Sequence, residues 1–149
     1  QSEQGVVVGG YGALVVNNDS PTIPDGYPAK AARLLVSYSG ADPAFAPHGM
    51  QKFAWDPVKR VFESAWINQQ ASSANAVPLV SLGSNTLYTV GGRDGKWALE
   101  GIDWTTGESV LTWITGSSRY NTVFAGLFID DEGHIVHGTT FGMVRYPAR

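Results

Sequence analysis

The chain has 149 residues, a length that suits one ordinary domain with a core of its own. Hydrophobic residues make up 43% of the sequence and charged residues only 15%, below the roughly 25% charged share of ordinary soluble proteins. This low charge indicates sheets that are covered on both faces. The net charge is −3 and no basic run occurs, which argues against DNA or RNA as a main partner because phosphate binding requires clustered cations.

Cysteine is absent, so structural disulfides and thiolate metal sites are excluded. The longest apolar run, residues 123–129, is too short to span a bilayer, and no membrane span is expected. The sequence starts at Gln1 without an initiator Met. We interpret this start as a processed or excised end.

The first predicted unit covers about residues 5–67 and contains four short β-rich runs. The predicted strands A to D of this unit are residues 5–9, 13–17, 50–55 and 61–67. A long loop, residues 18–49, separates B from C and holds five of the eight prolines. A further run at 33–39 is either an extra strand or an extension of B.

The second unit covers about residues 77–114 and the third about residues 121–146. Strands A to D of the second unit are predicted at residues 76–82, 86–90, 97–103 and 109–114, with turn residues between them. The third unit has predicted strands at 123–129, 134–138 and 142–146 and no strand D. No segment keeps a helical period, so the sequence predicts an all-β fold.

The units repeat. Asp56 precedes Trp66 by ten positions, Asp103 precedes Trp113 by ten, and the two copies are 47 residues apart. The same offset matches residues 97–99 with 144–146, and it lies within the ~40–50 residues of a four-stranded propeller blade. The sequence therefore predicts, for residues 1–149, a single β-propeller segment of about three four-stranded blades, the last incomplete. The tryptophans of these strands, with Trp55, are expected to pack between neighbouring blades.

Two segments resemble a known family. "LEGIDWTTGE" (99–108) is similar to the strand and turn of quinoprotein-type β-propellers, the repeat of pyrroloquinoline-quinone dehydrogenases and their non-enzymatic relatives. "DDEGHIVHGTTFGMVRY" (130–146) resembles the hairpin of the same repeat. This resemblance implies the C-terminal blades of a larger propeller, in a secreted or periplasmic protein. In the motif, Asp103 accepts N–H groups of the following turn and Gly107 supplies positive φ.

The chain departs from the family where the cofactor is concerned. The docking motif of the family has a Trp four residues after the turn Gly, where this chain has Leu111. No cysteines are present to contact a quinone. These departures argue against quinone-dependent dehydrogenation, and the sequence names no other cofactor. Calcium at 17–26 or 130–133 is weakly supported, since the first segment lacks alternating acidic ligands and the second reads as an Asp-rich hairpin turn.

Polar loop residues are predicted to gather at one end of the propeller axis, where B–C and D–A connections emerge. The ligand-binding candidates there are Asn18, Asp19, His48, Asn75, Arg93, Arg119 and Asn121. His48 is the candidate general base. Solvated loops without a role remain the alternative for each of them. Two histidines, His134 and His137, are three apart on a strand and make a poor metal pair, so no metal site is predicted.

Buried Glu100 is expected to pair with an Arg or Lys of a neighbouring strand. For the whole chain the first hypothesis is a scaffold that binds a ligand or protein through the axial loop face. The alternative is part of a propeller enzyme, a lyase, hydrolase or oxidoreductase, with its site on the axis. The expected partner is a second chain that supplies the remaining blades, such as the N-terminal part of the same precursor, with self-association as the alternative.

Overall fold

The structure is a computed structural model, and it describes residues 8–10, 13–17, 49–71, 73, 76–122, 125–139 and 141–147. These residues form three antiparallel sheets. Sheet 1 contains β1 (Val8–Gly10), β2 (Ala13–Asn17), β3 (Met50–Asp56) and β4 (Val61–Asn68). Sheet 2 contains β5 (Leu79–Ser81), β6 (Thr86–Arg93), β7 (Lys96–Asp103) and β8 (Ser109–Ile114). Sheet 3 contains β9 (Leu127–Ile129), β10 (Ile135–Thr139) and β11 (Gly142–Tyr146).

Each sheet is a meander in which strands adjacent in sequence are adjacent in space. A single 3₁₀ turn, Ser118–Tyr120, and no α-helix accompany the strands in the described part of the chain. The all-β prediction is confirmed. The run at 33–39 and the loop around it lie outside the described residues. In the described part of the chain, no helix has the length and apolar character needed to span a membrane.

Two turns make the same hydrogen bonds at matched positions of sheets 1 and 2. Oδ1 of Asp56 and Oδ1 of Asp103 each accept the backbone N–H groups two and three positions later, at 2.7–3.0 Å. The fourth position is left-handed in both, with φ of 55° at Arg60 and 79° at Gly107. Its N–H donates to the aspartate carbonyl at 2.8 and 2.9 Å respectively. The roles expected for Asp103 and Gly107 are confirmed.

The repeat register differs from its prediction in sheet 3. The β6–β7 and β10–β11 hairpins both have two-residue loops, closed by the pairs Arg93–Lys96 and Thr139–Gly142. Counted from these loops, Met143 corresponds to Trp97. The predicted match of residues 97–99 with 144–146 is therefore wrong by one residue. The cause is a change in spacing around β10. The turn before β10 is longer than the turn before β6, and β10 itself is shorter, five residues against eight in β6. These two changes do not cancel, so the offset between the two sheets differs after β10 from the offset before it.

Sheet 2 lies between the other two sheets and is covered on both faces. Toward sheet 1 the apolar cluster consists of Met50, Trp66, Ala71, Leu87, Ile102 and Trp104. Toward sheet 3 it consists of Ala76, Val90, Trp97, Leu99, Leu127, Ile135 and Tyr146. Along β7, Leu99 and Ile102 are three residues apart and belong to opposite clusters, because side chains alternate across a strand.

Trp66 fills the space between sheets 1 and 2, as predicted. It is 6% exposed, and its Nε1 donates to the carbonyl of Trp104 at 3.0 Å. Its ring lies so close to Gly107 that a Cβ there would come within 2.6 Å. Asn68 donates to the Gly107 carbonyl at 2.8 Å, and Lys52 donates to the Trp104 carbonyl at 2.7 Å. The fourth strand of sheet 1 is thus sealed against the β7–β8 turn of sheet 2.

The other two tryptophans of this prediction behave differently. Trp113 is half-buried and contacts the Tyr146 ring edge-on at 5.6 Å between centroids. Trp55 is 40% exposed and packs on Phe62 across sheet 1, so its expected position between sheets is not found. It lies on the face of sheet 1 that points away from sheet 2.

Candidate functional site

The predicted loop site is only partly described. Asn18, Asp19, His48 and Asn75 lie outside the described residues, and their assignment stays a prediction. The described members are Arg93 at the end of β6, Arg119 in the 3₁₀ turn and Asn121 just after it.

Arg93 is held by a buried carboxylate. Its Nε and Nη2 donate to the two oxygens of Glu100, both at 2.8 Å, and the Glu100 side chain is 0% exposed. Thr112 donates to the same carboxylate at 3.0 Å. Hydrogen bonding to Glu100 raises the pKa of Arg93 and keeps the guanidinium charged. The expected Arg partner of Glu100 on a neighbouring strand is confirmed.

The outer side of the Arg93 guanidinium contacts polar groups of sheets 1 and 2. Nη1 donates to Gln70 Oε1 and Nη2 to Ser109 Oγ, each at 2.8 Å. Four hydrogen bonds to three residues leave this guanidinium committed to structure. A ligand at this end of the sheets would have to displace the bond to Gln70 in order to bind Arg93.

Arg119 and Asn121 differ in exposure. Arg119 is exposed, and its backbone N–H donates to Ser117 Oγ at 3.3 Å. Asn121 is 2% exposed and belongs to the buried polar residues. Arg119 is therefore able to meet a ligand in the present structure, whereas Asn121 is a packing residue here.

The two histidines have separate environments. Nδ1 of His134 lies 3.1 Å from Asp130 Oδ1, in the turn that was expected to be a plain hairpin turn. His137 is fully buried, with Nδ1 at 3.0 Å from the Gly138 carbonyl and Nε2 at 3.2 Å from the Tyr146 hydroxyl. Within the described ranges no three His, Asp or Glu side chains come close enough to hold a metal ion.

A cleft of about 410 Å³ opens between sheets 2 and 3. It lies at the end of the sheets where the β5–β6 and β9–β10 turns are found, opposite to the end predicted for the site. The lining residues are Ser81, Ser84, Thr86, Tyr88, Leu99, Val110, Leu111, Trp113, Ile129, Gly133, Ile135, Tyr146 and Pro147. They carry hydroxyl, aromatic and aliphatic groups and no formal charge.

The cleft is suited to binding and poorly suited to acid–base chemistry. Burial raises the pKa of Tyr146, so its hydroxyl stays protonated and able to donate to His137. Burial also lowers the pKa of His137, which keeps that imidazole neutral and able to accept. The hydroxyls of Ser84 and Tyr88 lie 3.3 Å apart on the opposite wall. A general base with a pKa near 7 is missing among the lining residues.

Comparison with known proteins gives one informative relative. No family model matches the chain, and no solved structure matches it. A protein of Archaeoglobus fulgidus, described only as uncharacterized, is 34% identical over 146 residues. The alignment covers 97% of this chain and 28% of that relative, so the chain spans less than a third of the length of the protein it matches.

Sequence reasoning did not find the cleft because no motif marks it. The walls of the cleft are formed by side chains of ordinary β-strands in sheets 2 and 3, and these residue types are common in any β-sheet. The unusual feature is the number of strands in sheet 3. The signal that was available is the third unit, which has three strands where the others have four. Among the described residues sheet 3 has no strand beyond β11, and Tyr146 of β11 lines the cleft together with Trp113.

Proposed function

We propose that these residues form about three consecutive blades of a quinoprotein-type β-propeller, which works as a scaffold that binds a ligand or a protein through its axial loop face. The observation that carries the proposal is the order of the sheets. Trp66 of β4 faces sheet 2, and Trp113 at the matched position of β8 packs against sheet 3. Each sheet turns the same face toward the next, and enough such units close into a ring.

The first strands of sheets 2 and 3 support the same arrangement. Val77, just before β5, forms a parallel bridge with Gly126, just before β9. The Val77 N–H donates to the Ala125 carbonyl at 3.5 Å, and the Leu127 N–H donates to the Val77 carbonyl at 3.4 Å. Strands that lie side by side and parallel at one edge of successive sheets are what an axis lined by inner strands requires.

The chemistry of the described residues favours a scaffold over an enzyme. Arg93 is engaged by Glu100, and the cleft carries no charge. An enzyme would need His48 and the two arginines to converge on one axial pocket.

We propose that further blades complete the ring. They come from the N-terminal part of the same precursor or from other copies of this chain, and the whole protein is secreted or periplasmic.

A structure of the full-length A. fulgidus relative tests the architecture. We expect a closed ring of ~4–8 blades in which the matched region supplies successive blades. An open stack, a sandwich or a barrel would overturn the proposal.

Arg119 tests the binding face. We expect Arg119→Ala to lose binding on an array of glycans and carboxylate-bearing peptides and to keep its thermal midpoint, since the side chain is exposed. Arg60→Ala, in the turn between β3 and β4, is the matched control at the other end of the sheets. Equal binding by both variants and by the unaltered chain would contradict a role for the axial face.

A further inference from the structure

Tyr146 contacts three other aromatic side chains between sheets 2 and 3. The ring centroids of Trp113 and His137 are each 5.6 Å from the centroid of Tyr146, and that of Tyr120 is 6.2 Å away. Tyr146 is 4% exposed and His137 is 0% exposed. Trp113 is half-buried and lines the cleft, so it is the accessible neighbour of the buried Tyr146.

The hydrogen bonds of Tyr146 and His137 have a fixed direction. His137 Nδ1 lies 3.0 Å from the Gly138 carbonyl, which can only accept, so Nδ1 carries the ring proton. The other ring nitrogen, Nε2, keeps its lone pair and accepts from the Tyr146 hydroxyl at 3.2 Å. Burial lowers the pKa of His137, which keeps the imidazole in this neutral form. The Tyr146 phenol therefore has a base in direct contact, at a place that solvent scarcely reaches.

Tyr88 is a second tyrosine of the cleft, and its surroundings are different. Its hydroxyl lies 3.3 Å from Ser84 Oγ, a hydroxyl group that is no base near neutral pH. In the described part of the chain, Tyr146 is the tyrosine whose hydroxyl meets an imidazole. This difference matters for one-electron chemistry, because a phenol that loses an electron becomes a strong acid and needs a proton acceptor within reach.

The geometry points to a site of one-electron oxidation. We propose that Tyr146 gives an electron, through Trp113, to a diffusible radical oxidant of the peroxyl class that reaches the cleft, while its phenolic proton moves to His137 Nε2. The O–H bond of Tyr146 breaks and an N–H bond forms on His137. The products are a neutral phenoxyl radical, an imidazolium and a hydroperoxide anion. One electron from a reductant such as ascorbate, with the proton returned by His137, restores the phenol.

The surroundings of the pair favour this proton transfer. The radical cation of a phenol is a far stronger acid than an imidazolium, so His137 takes up the proton even though burial lowers its pKa. The imidazolium keeps its Nδ1–H bond to the Gly138 carbonyl, and a charged donor makes this bond stronger than before. The phenoxyl radical is neutral and stays in the apolar cluster of sheets 2 and 3, where burial would destabilise a charged radical. None of these contacts requires a closed ring of blades.

Flash photolysis of the 149-residue chain with tris(bipyridine)ruthenium and a cobalt(III) quencher tests the site. The flash produces a ruthenium(III) complex that accepts one electron, and optical absorption and electron paramagnetic resonance detect the tyrosyl radical. We expect most of the tyrosyl signal to be lost in Tyr146→Phe and kept in Tyr88→Phe, the matched control from the same cleft. Trp113→Phe should lower the yield of the radical, whereas Trp55→Phe, on the outer face of sheet 1, should leave it unchanged.

The role of His137 is tested by a variant and by solvent isotope exchange. His137→Gln keeps a hydrogen-bond acceptor but no base, and we expect radical formation on Tyr146 to slow about a hundredfold, the usual contribution of a positioned base. In the unaltered chain the reaction should be slower in D2O than in H2O, which keeps the test decisive if His137→Gln does not fold. Equal rates in the two solvents, equal rates in His137→Gln and the unaltered chain, or an undiminished tyrosyl signal in Tyr146→Phe or Trp113→Phe would overturn the proposal.

Discussion

Gly107 and Arg60 occupy the same position in two matched turns, and both are left-handed. At Gly107 the ring of Trp66 leaves no room for a Cβ, whereas Arg60 already carries a side chain. We expect Gly107→Ala to destabilise the chain by at least about 2 kcal/mol, since left-handed backbone costs about 1–2 kcal/mol for a residue with a Cβ and Trp66 must also move. Denaturant titration measures the loss.

Arg60→Gly is the matched control for that substitution. It relieves left-handed backbone at the same turn position and adds flexibility to the unfolded chain, so we expect a change between zero and a gain of about 1 kcal/mol. A loss at Arg60→Gly comparable with that at Gly107→Ala would mean that the turns are not equivalent.

The Arg93–Glu100 pair is a second residue-scale feature with a predictable cost. Arg93→Met leaves the fully buried Glu100 carboxylate without its bidentate partner, and we expect a loss of about 3 kcal/mol in free energy of unfolding. The double variant Arg93→Met with Glu100→Leu should recover most of the loss, because no buried charge remains. Both are measured by denaturant titration.

The exposed pair Lys59–Glu63, with its N–O distance of 2.6 Å, is the control for the buried pair. Lys59→Met should leave stability unchanged within error, because solvent screens an exposed pair. A negligible effect of Arg93→Met would show that solvent reaches Glu100 and that the pair is not a structural feature.

At the scale of elements, the positions of the strands could be predicted better than their register and the burial of their side chains. Turn residues delimit β6, β7 and β8, so their existence followed directly from residues 86–114. The Asp103 turn was predictable because Asp and Gly have local roles. The register of β11 could not be predicted, because the longer turn before β10 and the shorter β10 change the spacing in opposite directions without cancelling, and composition records neither change. The sequence also could not predict whether Arg93 binds a ligand or pairs with Glu100. That choice depends on the burial of the Glu100 carboxylate, which composition does not reveal.

The β10–β11 hairpin is expected to respond to pH through His137. Burial lowers the pKa of this histidine, so the unfolded chain binds more protons just below its ordinary value of about 6.5. Stability should therefore be fully present above about pH 6.5 and fall as the pH decreases toward the folded pKa. Burial raises the pKa of Tyr146, so a second loss begins above about pH 10. Denaturant titrations from about pH 2 to pH 11 measure both losses.

Asp130 gives a separate acidic window that serves as an internal control. Burial raises its pKa, but bonds from the His134 N–H and the Arg145 guanidinium outweigh this and hold it at about 2. Its contribution is present above about pH 4 and is lost as the pH falls toward 2. His137→Phe should remove the loss that begins near pH 6.5 and keep the one that begins near pH 4. An unchanged profile in His137→Phe would assign the first loss to another group.

At the scale of the whole molecule, both end sheets present apolar side chains to solvent. On the outer face of sheet 3, Phe128 is 47% exposed and Met143 72%. On the outer face of sheet 1, Trp55 and Phe62 stack with ring centroids 5.0 Å apart and are both exposed. The corresponding face of sheet 2 is covered by sheet 3. The end faces therefore have the composition of surfaces that another sheet covers.

We expect the isolated 149-residue chain to self-associate in a concentration-dependent way, because no part of the chain that the structure describes covers these two faces. Phe128→Lys combined with Met143→Lys should weaken the association, since a charge on such a face resists burial against a second sheet. Sedimentation velocity and native mass spectrometry over a range of concentrations measure the effect. Val58→Lys is the control, since Val58 is 90% exposed but lies in the β3–β4 turn and on neither face. A stable folded monomer at every concentration would contradict the need for covering sheets and with it the incomplete ring.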